Sequence, residues 1–151
     1  MSFFDSLNTS ATALTAQSLR MDIISQNMAN IDTTRTAEGG PYKRKTVIFS
    51  EISNDKNSFR HLFNTELNRK ANSNNLSGVK VERIAVDNTE GPKEYNPSHP
   101  DADANGYVTK PNVNVVEEMV NMISANRAYE ANITAVNITK GMINKTLEIG
   151  K

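Results

Sequence analysis

From Val115 to Leu147 the chain carries a repeat in alternating steps of four and three. Its positions are Val115, Met119, Met122, Asn126, Tyr129, Ile133, Val136, Lys140, Ile143 and Leu147, eight of the ten apolar. Such spacing is a coiled-coil seam, held here over nearly five heptads. Asn114 supplies an N-cap, with Glu117 three places on as a loose capping box. Gly150 closes the segment as a C′ residue. One helix from Val115 to Ile149 would be ~50 Å long at ~1.5 Å per residue. A compact domain of about 100 residues has a radius of gyration of only ~13 Å. A helix of that length cannot hide inside its own small domain. It must pair with another helix of the chain, with other copies, or with both.

A second helical pattern opens the chain. Leu7, Leu14, Met21 and Met28 recur every seven positions, with Phe4, Ala11 and Ser18 on the neighbouring row and Phe3, Ile24 and Ile31 flanking. The seam is narrow. Small side chains fill much of the rest, among them Ala13, Ala16, Ser10 and Ser25, and they allow close approach of a second helix. The pattern fades at Asn30 to Thr36, and Gly39-Gly40-Pro41 is a firm break. Neither seam is wide enough to fold alone, because isolated helices are marginal in water. Order in these ends is expected to come from packing them together, with neighbours completing the burial.

Between the helices the pattern changes. Val47-Ile48-Phe49 is a short β-forming run, and Val79, Val81, Ile84 and Val86 mark another, whose alternation slips at Arg83-Ile84 as at a bulge. Asn54 to Ser77 is polar and asparagine-rich, with Phe59, Leu62, Phe63 and Leu67 spaced for one short amphipathic helix. Gly91 to Pro100, with three prolines, reads as a loop, and Tyr107-Val108-Thr109 as strand-like. The expected fold is α+β and mainly α: long terminal helices packed as a coiled coil around a small, irregular β-rich middle. The expected divisions are 1–36, an N-terminal assembly helix and motif; 37–111, the β-rich middle; and 112–151, a C-terminal assembly helix.

Composition agrees with a thin or shared core. Hydrophobic residues make up 37% of the 151, below the ~45–50% of ordinary domains, and Trp is absent. Seventeen Lys and Arg balance seventeen Asp and Glu, so nothing marks a nucleic-acid surface. The run Lys43-Arg44-Lys45 reads as a solvated turn entering a strand. Cysteine is absent, which removes disulfide, thiolate and cysteine-zinc chemistry. No stretch approaches ~20 apolar residues, so no membrane span is expected. Met1 to Met21 lacks the features of a cleavable signal.

No catalytic constellation emerges. His61 and His99 lie in separate polar segments, and there is no phosphate-cradling glycine loop or Gly-x-Ser-x-Gly elbow. Asp101-Ala-Asp103-Ala-Asn105-Gly106 matches the first half of a calcium loop, but its twelfth position is Asn112 where a bidentate Glu is needed. It reads as an Asx-rich turn. No cofactor, no metal site and no enzymatic activity are expected.

Specific residues then carry a resemblance. Ser25-Gln-Asn27-Met-Ala29-Asn30-Ile-Asp-Thr33 resembles the Ser-x-Asn-x-Ala-Asn-x-x-Thr motif of flagellar rod, hook and hook-associated axial proteins. Ser124-Ala-Asn-Arg127-Ala-Tyr129-Glu-Ala131-Asn132 resembles their shared C-terminal motif. Gly40-Pro41-Tyr42-Lys-Arg44, and the stretch from Ala102 through Val108 to Pro111-Asn112-Val113 and Glu118-Met119-Val120-Asn121, resemble the proximal-rod type. The resemblance implies a subunit of the rod within the periplasm, exported by the flagellar type III apparatus with no cleavable signal peptide. Its implied partners are other copies, other rod proteins and the membrane-ring or adaptor proteins at the rod base, with no nucleic acid. The expected assembly residues are Leu7, Leu14, Met21, Met28, Ser25, Asn27, Ala29, Asn30 and Thr33 at one end. At the other they are Val115, Met119, Met122, Arg127, Tyr129, Asn132, Ile133, Val136, Ile143 and Leu147. Two rivals stay open on sequence: a coiled-coil adaptor forming a finite oligomer, and a calcium-dependent enzyme or sensor built on the Asp101 segment.

Overall fold

A computed structural model describes residues 3–52 and 78–150. The expected short helix around Phe59 to Leu67, and His61 with it, lie outside the described residues. The order is α1 (Phe3–Ala29), β1 (Lys45–Glu51), β2 (Val79–Val86), β3 (Lys93–Tyr95), β4 (Tyr107–Thr109) and α2 (Val115–Ile149). The fold is mainly helical α+β: two long helices with small antiparallel sheets between them.

The helices run antiparallel, since Asn27 at the end of α1 bonds Glu118 at the start of α2. Their facing rows are partly small and polar. Ala16, Ile23 and Asn27 are buried on α1, and Glu118 and Ala125 on α2. Alanine at a crossing lets backbones approach closely, so contact is gained with little apolar volume. Counting back from Asn27 level with Glu118, α1 reaches Phe3 opposite about Met142. The last two turns of α2 therefore project past the described part of α1. Leu147 shows the consequence: it lies on the inward row yet is 67% exposed.

The β1–β2 ribbon lies along α1. Its first residue, Lys45, is bonded to Asn27. At the far end the Val79 N–H donates to Thr12 Oγ1 at 3.2 Å. The lengths match: β1 spans about 20 Å at ~3.3 Å per residue, and α1 from Thr12 to Asn27 spans about 22 Å at ~1.5 Å. Ile48 pairs with Arg83 and Phe49 with Val81, so Glu82 is the extra residue of a bulge. The slip expected at Arg83-Ile84 is present one residue earlier.

The expected loop over Gly91 to Pro100 is corrected in part. Lys93–Tyr95 form β3, paired antiparallel with β4. Three residues with one aromatic carry no period-two signal. Their pairing is fixed by partners: Tyr95 packs edge-on against Tyr107 at 5.3 Å, and Glu94 pairs with Lys110 at 2.5 Å. Gly91 just before it lies so close to the Lys110 carbonyl and Pro111 that a Cβ would collide with backbone.

The helix ends follow the sequence at one terminus only. Asn114 Oδ1 accepts from the N–H groups of Val116 and Glu117 at 3.0 and 3.4 Å, a working N-cap. Gly150 was expected to close α2 as a C′ residue; it stands at the C-cap with φ −86°, so α2 ends without the left-handed glycine that commonly follows a helix. Gly39 and Gly40, both at positive φ, make the break after α1.

Candidate assembly site

The densest set of side-chain interactions sits where α1, β1 and α2 meet. Asn27 is its centre and is 1% exposed. Its Nδ2 donates to the Lys45 carbonyl at 2.8 Å and to Glu118 Oε2 at 2.9 Å. Its Oδ1 accepts from the Tyr42 hydroxyl at 2.9 Å and the Lys45 N–H at 3.0 Å. An asparagine side chain has two donors and two acceptor lone pairs, and all four are used. The residue therefore clips the end of α1 to the start of β1 and to α2 at once.

Glu118 is the other half of the clasp, 1% exposed on the first full turn of α2. Oε1 accepts from Arg44 Nε at 2.8 Å and lies 2.7 Å from Arg44 Nη2, which also donates to Glu117 at 2.8 Å. A carboxylate this buried needs a paired cation and filled lone pairs, and it has both. Burial opposes the Arg44 charge, but hydrogen bonds and attraction from Glu118 and Glu117 outweigh it and raise its pKa. Burial, then the Glu118 charge, raises the Tyr42 phenol above its ordinary value. The chain between is held as well: Asn112 Oδ1 accepts from the Arg44 N–H at 2.8 Å, and the Arg44 carbonyl accepts from the Asp87 N–H at 2.8 Å.

The N-terminal motif divides by task. Asn27 makes the clasp. Asn30 and Thr33 make the turn: Asn30 Nδ2 donates to the Gln26 carbonyl at 2.8 Å, Thr33 Oγ1 donates to Asn30 Oδ1 at 3.2 Å, and the Thr33 carbonyl accepts from the Tyr42 N–H at 3.0 Å. Ser25 and Ala29 are exposed on the outer side of α1. Leu7, Leu14, Met21 and Met28 are half-buried along the flank of the helix contact.

The ten-position row of α2 splits into two. Met122, Tyr129, Val136 and Ile143 are half-buried toward α1, as is Asn132, whose Nδ2 donates to the Ala128 carbonyl at 2.7 Å. Val115, Met119, Ile133 and Leu147 are exposed, with Asn126 and Lys140 of the same row and with Arg127. The contact is centred on Glu118, Ala125 and Asn132, about a quarter of a turn from the middle of the ten-position row. Reading apolar positions alone placed the centre between the face that packs on α1 and the face that remains open. Tyr42, Arg44, Asn112 and Glu118 were not expected at the site, though all stand in the motif segments. The usable signal was an acidic residue, Glu118, on the row shared with Met122, Ala125 and Tyr129.

The Asp101 segment is an ordered turn. Asp101 Oδ2 accepts from Thr34 Oγ1 at 2.8 Å, and Arg35 lies 3.6 Å from Oδ1. Asp103 Oδ1 accepts from the N–H groups of Tyr107 and Asn105, at 2.9 and 2.8 Å, and these bonds hold its carboxyl below the usual range. Asn112, at the twelfth position, is committed to Arg44 in the clasp.

Comparison with known proteins accounts for both helical ends. Residues 7–35 match the family "Flagella basal body rod protein". Residues 104–149 match "Flagellar basal body rod FlgEFG protein C-terminal". The flagellar basal-body rod protein FlgC of Bacillus subtilis (strain 168) is 48% identical over 155 residues, covering 100% of both chains. That of Borreliella burgdorferi is 44% identical over 153 residues, covering 99% of this chain and 98% of its own. That of Salmonella typhimurium is 36% identical over 151 residues and covers 100% of each. The chain belongs to the FlgC family of flagellar basal-body rod proteins.

Proposed function

We propose that this chain builds the rod by presenting the outer surface of its clasped helical pair to neighbouring subunits. As a FlgC-family protein it is a structural subunit of the flagellar basal-body rod, and it assembles with other rod components. The finer reading is ours. The chain is delivered by the flagellar type III apparatus with its N-terminal helix uncleaved, and it takes a periplasmic place near the membrane-ring or adaptor proteins of the rod base. Its segments divide the work as an N-terminal assembly helix and motif over 1–36, a β-rich and loop middle over 37–111 and a C-terminal assembly helix over 112–151. Its role is mechanical and carries no catalytic step.

One observation supports this reading most. The helices close on each other through a polar clasp and small residues, and leave large apolar side chains in water on α2, with Val116, Val120 and Ile123 all exposed. A chain that functioned alone would have no use for such a surface. Deleting the gene tests the proposal. Cells should lose motility and accumulate basal bodies that stop at the membrane ring, and the intact gene should restore both. Motile deletion cells with complete rods would refute it.

A further inference from the structure

Most of α2 is held by α1, and its end is not. Ala125 is buried and Val136 half-buried toward α1. Beyond the level of Phe3, where the described part of α1 begins, Met142, Leu147 and Ile149 are 54, 67 and 84% exposed. Gly141 stands at that boundary, inside a helix that runs unbroken from Val115 to Ile149. Glycine is the weakest helix former after proline, because it gives up the most backbone freedom and leaves the backbone open to water. A close approach would justify it, but none exists here: a Cβ built on Gly141 meets no atom within 4 Å among the described residues. Counted round the helix, Gly141 lies about 140–180° from Glu118, Ala125 and Asn132, on the side away from α1. The turns on either side are held locally. Thr139 Oγ1 donates to the Ala135 carbonyl at 2.9 Å before it. After it, Thr146 Oγ1 donates to the Ile143 carbonyl at 2.8 Å, and Lys145 pairs with Glu148 at 2.7 Å. Gly141 is thus a soft point between two stiffer pieces.

Resting on the reading of the chain as a rod subunit, we propose that Gly141 is a hinge in α2, at which the last two turns change direction as the subunit enters the rod. A straight α2 points those turns one way only and leaves their apolar side chains in water. With a hinge, the clasp fixes the first part of the helix while the end takes the direction its surroundings dictate. The inner contact with α1 is undisturbed, because only the backbone bonds that span Gly141 have to open. On the outward side, where no side chain shields them, water can replace those bonds.

Spin labels test the hinge in the free subunit, since the chain has no native cysteine to interfere. Ala135→Cys with Ile149→Cys spans Gly141, and Asn126→Cys with Lys140→Cys does not. All four positions are exposed. In each pair the labels stand ~21 Å apart along a straight helix. Pulsed electron resonance should give one narrow distance for the second pair and a broad distribution for the first, and Gly141→Ala should narrow the first to match. A narrow distribution across Gly141 in the native sequence would overturn the hinge. So would one that stays broad with Gly141→Ala, which would mean that the helix end simply frays. In cells, Gly141→Ala favours the straight helix about fivefold. At limiting expression it should lower recovery of the subunit in basal bodies by about that ratio, with no loss of helix in circular dichroism of the free subunit. Recovery equal to the wild type would overturn the use of the hinge in assembly. A motile deletion strain would overturn the rod reading instead and leave the spin-label result standing.

Discussion

Replacing Asn27 by alanine removes the centre of the clasp and leaves its four partners facing a gap. Three of those partners are neutral: the Lys45 carbonyl, the Lys45 N–H and the Tyr42 hydroxyl. Bonds of that kind contribute about 1 kcal/mol each, and the bond to the Glu118 carboxylate about 1.5–3 kcal/mol. The partners are buried together, so water replaces them poorly and the loss comes to about 4–6 kcal/mol, which neighbouring-site coupling can reduce. Native domains hold only about 5–15 kcal/mol in total. Urea titration of the purified subunit by far-UV circular dichroism measures the effect. With a slope of ~2 kcal/mol/M, the midpoint should fall by about 2–3 M. Asn30→Ala is the comparison: it removes side-chain bonds at the helix end, to the Gln26 carbonyl and from Thr33, and should cost about 1 kcal/mol or less. If Asn27→Ala costs no more than Asn30→Ala, the clasp does not hold the helical pair and the reasoning fails.

Two further outcomes follow from the same geometry. Tyr42 has its pKa raised from the ordinary 10.0 by burial and the Glu118 charge, so the stability it contributes is complete below pH ~10 and is lost as pH rises through the higher folded value; Tyr42→Phe should be about 1 kcal/mol weaker at neutral pH, and that deficit should shrink in unfolding titrations at increasingly alkaline pH. Gly91→Ala forces a Cβ against the Lys110 carbonyl and Pro111, a clash that should cost about 2 kcal/mol and lower the melting temperature by roughly 5 °C; an unchanged melting temperature would show that β3 and its approach move freely.

What the sequence revealed depended on whether a residue's role was carried by apolarity or by geometry. The seven-residue recurrence of Leu7, Leu14, Met21 and Met28, and the longer run from Val115, were enough for two long helices in contact. Asn114 was legible as a cap because capping is local. The partition of the α2 row was not legible. Val116 and Val120 look like core residues in a linear pattern, whereas Glu118 and Asn27 look like surface residues. Only the approach of β1, which brings Tyr42, Arg44 and the Lys45 backbone to the same point, turns two polar side chains into the largest fully buried ones among the described residues. The strand β3 was hidden for a similar reason. Lys93 and Glu94 have no preference that survives outside the pairing with β4, and Pro92 beside them signals a loop. Motif resemblance reached further than apolar patterning at Asn27, which it placed among the assembly residues, while Tyr42 and Glu118 stood in the motif segments without being assigned to the site.

The central claim is that the helical pair folds through its inner face and assembles through its outer one. Val120→Asp tests it most directly, since Val120 is 61% exposed on the side of α2 away from Glu118 and Ala125. A carboxylate there meets only water in the free subunit, but would be buried unpaired in a subunit contact, at a cost of several kcal/mol. The measurement is recovery of the variant in purified basal bodies, set beside circular dichroism and urea stability of the free subunit. The account predicts a subunit as stable as the wild type that is absent from the rod, in cells that do not swim. A variant that enters the rod normally would contradict it.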